Sequence, residues 1–429
     1  MMQRTLAHAL PTIPIGERVA VQGWVHRRRR LGGIAFLVVR DRTGLAQAVV
    51  AGDAAGRLFA DVPEETVVTV EGSIAANGKA PGGVELIEPV ITTLSPPALP
   101  PPVELWRPPS EVSLPVLLDH APVLWRHPAQ SMMWRIAAAS LRGFRALLDR
   151  RGFVEIQTPK IVGSATESGA NVFELDYFGR AAYLAQSPQL YKQMMVGVFE
   201  RVYETGPVFR AEPHDTARHL AEYVSLDVEF GFIHDHRDVL AVLRDVLQTM
   251  LTEVTETVQT TASSGIHLPS VPEEIPVIHF RDALALVGAG PDEPDLAPDH
   301  ERRLGEWARR EHGSEFLAVE GYPAVKRPFY TQPEPGDPRW TNSFDLLFRG
   351  LELCTGGQRL HTADAYEHAL AQRGESATDY EPYVQAFRHG MPPHGGFAIG
   401  LERWVARLTG TDNIRRAALF PRDLNRLSP

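Results

Sequence analysis

Residues 203–232 read YETGPVFRAEPHDTARHLAEYVSLDVEFGF, and both ends of this stretch have strand character. Val208 and Phe209 on one side, and Tyr223, Val224, Leu226, Val228 and Phe230 on the other, are residue types that suit a pleated surface. The middle is polar and basic. The pattern predicts two strands joined by a long loop, with Arg210, His214, Arg218 and His219 in the loop and Glu222, Asp227 and Glu229 on the return strand. Cations at the tip and acids along one arm can hold a polyphosphate beside an amine.

Outward from this hairpin, strands and helices are interspersed without regular βαβ alternation, which predicts an α+β domain on an antiparallel sheet flanked by helices. Upstream, Met132, Met133, Ile136, Ala137, Leu141, Phe144, Leu147 and Leu148 recur at helical spacing and Gly152 supplies a stop. The strand FVEIQTP follows, then the polar loop SATESGA, a hairpin of VFELDYF and AAYLAQ, and SPQLYKQMMVGVFE, a helix started by Ser187 with Pro188 at its first position. Downstream, residues 237–258 are helical, and residues 262–300 are Pro-rich and give no clear element. Strands are expected at EFLAVEGY, RPFYTQ, TNSFDLLFRG and LELCTGG, helices near 361–373 and 378–390, and a final strand running into a helix at HGGFAIGLERWVARLTG.

The first hundred residues are different. RVAVQGWV, GIAFLVVRD, LAQAVVA, TVVTVEGSIA and VELIEPVITTL are five short strand-like segments, which suit an OB-type Greek-key barrel able to bind single-stranded nucleic acid. Residues 1–50 carry Arg4, Arg18, Arg27, Arg28, Arg29, Arg30, Arg40 and Arg42 against Glu17 and Asp41, a basic module on a chain of net charge −10. Trp24, His26, Arg28 and Phe36 are candidates for the binding face, with the arginine run read as a phosphate-contacting loop beside the barrel. SPPALPPPVELWRPPSEVSLP, residues 95–115, is too rich in proline for helix or ladder and marks a linker. The expected division is a barrel over 1–100, a hinge over 101–130 and the α+β domain over 131–429.

The 429-residue chain is 44% hydrophobic, ordinary for a globular protein of two or three domains. Its first residues lack a signal-peptide pattern and no run is long enough to span a bilayer, so a cytoplasmic protein is expected. A single cysteine, Cys354, excludes an internal disulfide and Cys-based zinc clusters, and reads as a small buried residue. His214 and His219 have helical metal spacing but sit in a loop without a third ligand. GSIAANGKA misses the phosphate-loop spacing, and the glycines of GGFAIG miss the dinucleotide pattern.

Taken together, the helix and strand ending at Pro159, the 203–232 hairpin and GGFAIGLER at 395–403 resemble motifs 1, 2 and 3 of the class II aminoacyl-tRNA synthetases. The likeness covers nearly the whole chain. QSPQLYKQ at 186–193 and FRGLELCTGGQRLH at 348–361 resemble the elements of aspartyl enzymes, and the short distance between motifs 2 and 3 resembles the archaeal type. The resemblance implies formation of an aspartyl-adenylate from ATP and L-aspartate with Mg²⁺, transfer to tRNA, and a homodimer. It implies Arg210 at the α-phosphate and reacting carboxylate, Arg218 and Arg403 at the γ-phosphate end, and Asp345 with Glu352 on Mg²⁺. Glu212, His219, Leu220 and Tyr223 would surround adenine. Lys192 and Arg359 would read the β-carboxylate, and Glu167, Gln189 and Asp227 the ammonium, with Thr355 beside them. Asparaginyl relatives lack a lysine equivalent to Lys192. Two departures from the pattern, Pro213 and Ala398, remove no ligand.

Members that charge both aspartate and asparagine tRNAs tend to carry a histidine and a proline where this chain has His26 and Pro81. The resemblance therefore implies tRNA(Asp) and tRNA(Asn) as partners, with an amidotransferase to convert Asp-tRNA(Asn). The rival readings are a strictly discriminating enzyme, an RNA-binding paralogue without catalysis, an asparagine-forming ligase and an asparaginyl enzyme.

Overall fold

The structure is a computed structural model that describes residues 2–107, 112–163, 171–213, 215–259 and 265–428. The chain divides into two compact units, one built on Met1–Met132 and the other on Met133–Thr257 and Gly265–Pro429.

In the first unit the five expected strands form: β1 Arg18–Leu31, β2 Ile34–Arg40, β3 Leu45–Ala51, β4 Val67–Ala76 and β5 Val84–Thr93. They pair in the order β1–β2–β3–β5–β4 and close by β4 pairing back onto β1, an OB-fold barrel. The period of two is cleanest on β4, where Val68, Val70, Gly72 and Ile74 are buried between partly exposed neighbours. A helix, α1 Asp53–Asp61, was not expected; Ala55 and Leu58 on one face join the barrel core.

The arginine run is corrected by the structure. Arg27–Arg30 are the continuation of β1, paired with Val38, Leu37, Phe36 and Ala35 of β2, not a loop beside the barrel. Four charged residues hide strand periodicity; Arg29 and Arg30 are exposed, while Arg27 and Arg28 are partly buried. Past the prolines the chain also forms structure of its own, with short helices at Leu114–Asp119 and Ala121–Leu124 and a small cluster of Leu105, Leu117 and Leu124. Arg27 lies 3.8 Å over the Trp106 ring, and Arg126 bonds Glu65 at 2.9 Å.

The second unit is built on an eight-stranded sheet. Its strands are β6 Val154–Glu155, β9 Arg201–Phe209, β10 Glu222–Gly231, β11 Val277–His279, β12 Phe316–Glu320, β13 Ser343–Phe348, β14 Glu352–Gln358 and β15 His394–Gly400, with Glu174–Tyr177 (β7) and Arg180–Leu184 (β8) forming a hairpin that pairs with Ile161–Val162 in a separate three-stranded sheet. The order is β11–β12–β13–β14–β15–β10–β9–β6, antiparallel throughout its centre and parallel at the two edges. Helices α2 Pro128–Arg150, α3 Gln189–Phe199, α4 His236–Gln259, α5 Phe280–Val287, α6 Pro298–His312, α7 Ala363–Gln372, α8 Glu381–Arg388 and α9 Leu401–Thr409 accompany it. Gly143 of α2 lets that helix approach α4, since a Cβ there would sit 2.7 Å from the Met250 Cα.

Several expectations shift locally. FVEIQTP contributes only the two residues of β6, and α3 begins at Gln189 with Pro188 as its N-cap, the Ser187 hydroxyl accepting from the Gln189 N–H at 3.1 Å. RPFYTQ is not a strand: Phe329 and Tyr330 are buried with α7 and α8, and only a Thr331–Arg359 bridge touches a strand end. Residues 262–300, which gave no clear element, supply β11, α5 and the start of α6 within their described part.

The close pairing of β15 with β10 depends on glycine. A Cβ on Gly396 would lie 2.0 Å from the Val228 carbonyl oxygen and 2.3 Å from the Glu229 carboxylate, a clash that backbone atoms cannot relieve. Gly396→Ala is expected to lower stability by at least about 3 kcal/mol in urea unfolding, whereas Gly33→Ala, in open space, should change it by less than about 0.5 kcal/mol. Equal melting of the two variants would contradict this reading of the sheet.

Candidate active site

Side chains on a strand alternate between faces, so β10 sends Tyr223, Ser225, Asp227 and Glu229 to one side and Leu226, Val228 and Phe230 to the core. Register carries this face across the sheet. Asp227 pairs with Ala398, Ala398 with Thr355, and Thr355 with Asp345, a single rung over β10, β15, β14 and β13. Two adjoining cavities open on this face and share Arg210, Tyr223, Ser225, Thr355 and Ala398.

Arg210, Glu212, Arg218, His219, Leu220, Tyr223, Glu352 and Arg403 line the first cavity, so all the residues expected around ATP are brought together there. The Arg210 guanidinium lies 5.6 Å from the Tyr223 ring centre. Arg403 donates to the Glu352 carbonyl at 2.9 Å and approaches its carboxylate at 3.4 Å. Two acids escaped the sequence. Glu301 of α6 accepts from the Glu352 N–H at 3.0 Å and lies 3.7 Å from Arg218, and burial pushes its carboxyl up. Glu402 accepts from the Val224 N–H with both oxygens, at 3.1 and 3.2 Å, and burial pushes it up to about 7. Glu301 follows a stretch that gave no clear element, and Glu402, though inside GGFAIGLER, gains its partner only when α9 meets β10.

Gln189, Lys192, Asp227, Thr355 and Arg359 come together at the second cavity. Glu167 lies outside the described residues, as does His214. Lys192 is 3.0 Å from Asp227 and 3.3 Å from Glu229; Arg359 donates to Glu229 at 2.9 Å and to the Gly396 carbonyl at 3.0 Å. Asp227 also accepts from the Ser225 hydroxyl at 2.5 Å. The result is a buried quartet of two cations and two anions. Burial alone would raise the Glu229 carboxyl, but Arg359 and Lys192 together hold it below the ordinary range. Glu229 had been read only as one acid of the return strand; its i, i+2 spacing from Asp227 was the available signal.

Asp345 is buried and accepts from Arg327 at 2.8 Å, with Arg327 lying 4.0 Å over the Tyr322 ring. Burial, then the charge of Asp345, pushes the Glu352 carboxyl up, so this pair gains from a cation. Among the described residues no three His, Cys, Asp or Glu side chains are arranged to hold a metal by themselves. Two carboxylates suit Mg²⁺, which keeps water and takes phosphate oxygens as its other ligands.

On the barrel the register separates the expected tRNA residues. Arg29 pairs with Phe36 and Trp24 with Arg40, placing Trp24 and Phe36 on the outer face. Gln47 and Glu85, missed in the sequence, extend that face: Arg29 donates to Gln47 at 3.0 Å, and Gln47 and Asn77 each donate to Glu85 at 2.8 Å. Arg28 pairs with the core residue Leu37 and instead donates to the Phe59 carbonyl at 3.0 Å. His26 is the residue bulged out of the ladder between Val25 and Arg27; it is buried 3.3 Å from Arg40, and burial, with Arg40, lowers it to about 4. The open-face placement expected for His26 and Arg28 is thus corrected by one bulge. Pro81 is half-buried at the turn before β5.

Replacing Glu229 leaves Lys192 and Arg359 with only Asp227 to balance them. Glu229→Gln is expected to cost roughly 3–5 kcal/mol at neutral pH. Because the folded-state carboxyl lies below its unfolded value, that contribution is present above about pH 4.5 and fades as pH falls through the folded value, so the variant should lose part of the acid limb of the stability profile. A Glu229→Gln protein as stable as the parent at pH 7 would contradict the quartet's role.

Comparison with known proteins agrees with this geometry. The family model for class II tRNA synthetases (D, K and N) matches residues 115–424, and that for the OB-fold nucleic acid binding domain matches residues 19–94. The chain is 44% identical over 423 residues to the aspartate–tRNA(Asp/Asn) ligase of Thermus thermophilus, covering 97% of each, and 43% identical over 438 residues to that of Deinococcus radiodurans, covering 100% of this chain and 99% of the other. Among solved structures, asparaginyl-tRNA synthetase from Pyrococcus horikoshii complexed with asparaginyl-adenylate matches with TM-score 0.91 at 32% identity over 100% of both chains. A putative aspartyl-tRNA synthetase from Leishmania major matches with TM-score 0.88 at 29% identity over 100% of this chain and 95% of that one. The chain therefore belongs to the class II tRNA synthetases of the D, K and N group, with an OB-fold nucleic acid binding domain ahead of the catalytic domain.

Proposed function

We propose that this synthetase activates L-aspartate with ATP and transfers it to both tRNA(Asp) and tRNA(Asn). The observation that carries the reading is that the two cavities share Arg210 and that Lys192 and Arg359 line the second. An aspartate seated there presents its side-chain carboxylate to the two cations and its ammonium to Asp227 and Gln189. Its α-carboxylate then lies toward Arg210, where it attacks the α-phosphorus; the new O–P bond forms as the bond to pyrophosphate breaks. The substrate is the nucleophile, so the site supplies alignment and charge rather than a protein base.

Arg210 bridges the reacting carboxylate and α-phosphate, a role suited to a planar fork. Arg218 and Arg403 hold the distal phosphates, and Tyr223, with Glu212, His219 and Leu220, receives the adenine. Asp345 and Glu352 would hold Mg²⁺, which when bound would supply positive charge beside the phosphates. Asparagine is disfavoured because its amide turns a donor toward Lys192 and Arg359, which weighs against the asparaginyl reading that the Pyrococcus horikoshii likeness invites.

The double tRNA specificity is supported by the names of the Thermus and Deinococcus relatives and by the barrel. Neither His26, buried against Arg40, nor the uncharged Pro81 offers a bulky or basic group to favour the third anticodon base of tRNA(Asp). Trp24, Phe36 and the Arg29–Gln47–Glu85 chain would meet splayed anticodon bases. A homodimer and a separate tRNA-dependent amidotransferase complete the proposal. No described helix is long and apolar enough to cross a membrane.

Charging with purified transcripts tests this directly: aspartate should be accepted onto tRNA(Asn) with kcat/KM within about tenfold of tRNA(Asp), and the absence of Asp-tRNA(Asn) would leave a discriminating enzyme. Lys192→Met should lower aspartate-dependent pyrophosphate exchange by roughly a hundredfold or more. Removal of divalent ions should abolish exchange and added Mg²⁺ restore it; exchange that persists in chelator would exclude the Asp345–Glu352 assignment.

A further inference from the structure

Joined to the amino-acid cavity through Gln189 is a buried polar cluster whose other members the reaction above does not use. Gln193 of α3 is 0% exposed. Its Nε2 is 2.9 Å from the Tyr366 hydroxyl and 3.0 Å from His394 Nε2, and its Oε1 is 3.0 Å from both the Tyr383 hydroxyl and Gln189 Nε2. These four contacts use both protons and both lone pairs of the amide.

The direction of each bond follows from two groups that can only accept. The Pro392 carbonyl is 2.9 Å from His394 Nδ1, so Nδ1 carries the proton and, in the neutral ring, Nε2 accepts. The Tyr366 hydroxyl gives its proton to the Leu360 carbonyl at 2.7 Å, so its oxygen accepts as well. Gln193 must therefore turn its NH₂ toward His394 and Tyr366 and its oxygen toward Tyr383 and Gln189. Gln189 in turn donates its NH₂ to Gln193, which leaves its carbonyl oxygen as the group it offers to the cavity that it lines. Burial lowers His394 to about 4 and raises both phenols, so each member of the chain keeps the protonation state that this polarity requires.

We infer that Gln193, held by His394, is a positioning residue that fixes the Gln189 amide with its oxygen toward the substrate's ammonium group. The inference rests on assigning that cavity to L-aspartate. A reversed Gln189 would set an NH₂ against an ammonium, two donors with no acceptor between them, and the site would lose part of its grip on the amino group while the phosphate side stayed intact.

The test is aspartate-dependent exchange of labelled pyrophosphate into ATP by the full chain. Gln193→Met should raise KM for aspartate roughly tenfold or more while leaving KM for ATP within about twofold of the parent. In a double-mutant cycle with Gln189→Ala, adding Gln193→Met should change KM for aspartate by less than about twofold, because Gln193 acts through Gln189. His394→Phe, which keeps the ring packed on Phe387 (centroids 5.9 Å apart) but removes the acceptor, should show the same split in smaller measure, and it decides the matter if Gln193→Met does not fold. An unchanged KM for aspartate, equal losses for ATP and aspartate, or additive effects in the cycle would overturn the positioning role. If the unmodified chain shows no aspartate-dependent exchange, the cavity assignment itself falls and this inference falls with it.

Discussion

The constraint on which the site depends is the burial of Glu229 between Lys192 and Arg359. Two cations cannot be kept dry at the end of a cavity without anions, because the solvation lost on burial is large. Glu229 and Asp227 supply them from one face of one strand. Glu229 fits only because its neighbour on β15 is Gly396, where any side chain would occupy the carboxylate's place. A glycine and a glutamate on adjacent strands thus set the position of both specificity cations. Charges fixed in this way are already oriented before substrate arrives, which is the condition for selectivity without reorganisation.

The sheet then does the assembling. The 203–232 hairpin, the 348–361 stretch and the 395–403 stretch are far apart in the chain, yet β10, β15 and β14 are adjacent, and one rung of paired residues runs from Asp227 to Asp345. The hairpin of residues 203–232 contributes Arg210 and Tyr223 to the phosphate side and Asp227 and Glu229 to the amino-acid side. It therefore joins the two cavities, and the loop and strand of a single hairpin bring the reacting groups together. The barrel is a module of its own, with an outer face of aromatic, amide and charged side chains that has no counterpart in the catalytic chemistry.

Much of this was legible in the sequence. Strand alternation and turn residues located the five barrel strands and the central strands of the catalytic sheet, and the residues expected around ATP line one cavity. What escaped came from three physical causes. Glu301 follows directly on the Pro-rich region that gave no clear element, and Arg327 opens RPFYTQ, which the sequence offers as a strand but which is not one in the fold, so nothing local distinguished them from surface charges. His26 was misplaced because a single bulge moves one residue out of alternation and no residue type announces it. Glu229 was visible as an acid, but its role depends on partners 37 residues before and 130 residues after it in the chain, a relation that only the fold creates.

The most direct measurement of the central claim is the affinity of the full chain for two non-hydrolysable adenylate analogues, aspartyl and asparaginyl, by titration calorimetry. With Lys192 and Arg359 held by Glu229 as described, the aspartyl analogue should bind tighter by about a hundredfold or more. Equal affinity, or preference for the asparaginyl analogue, would contradict it.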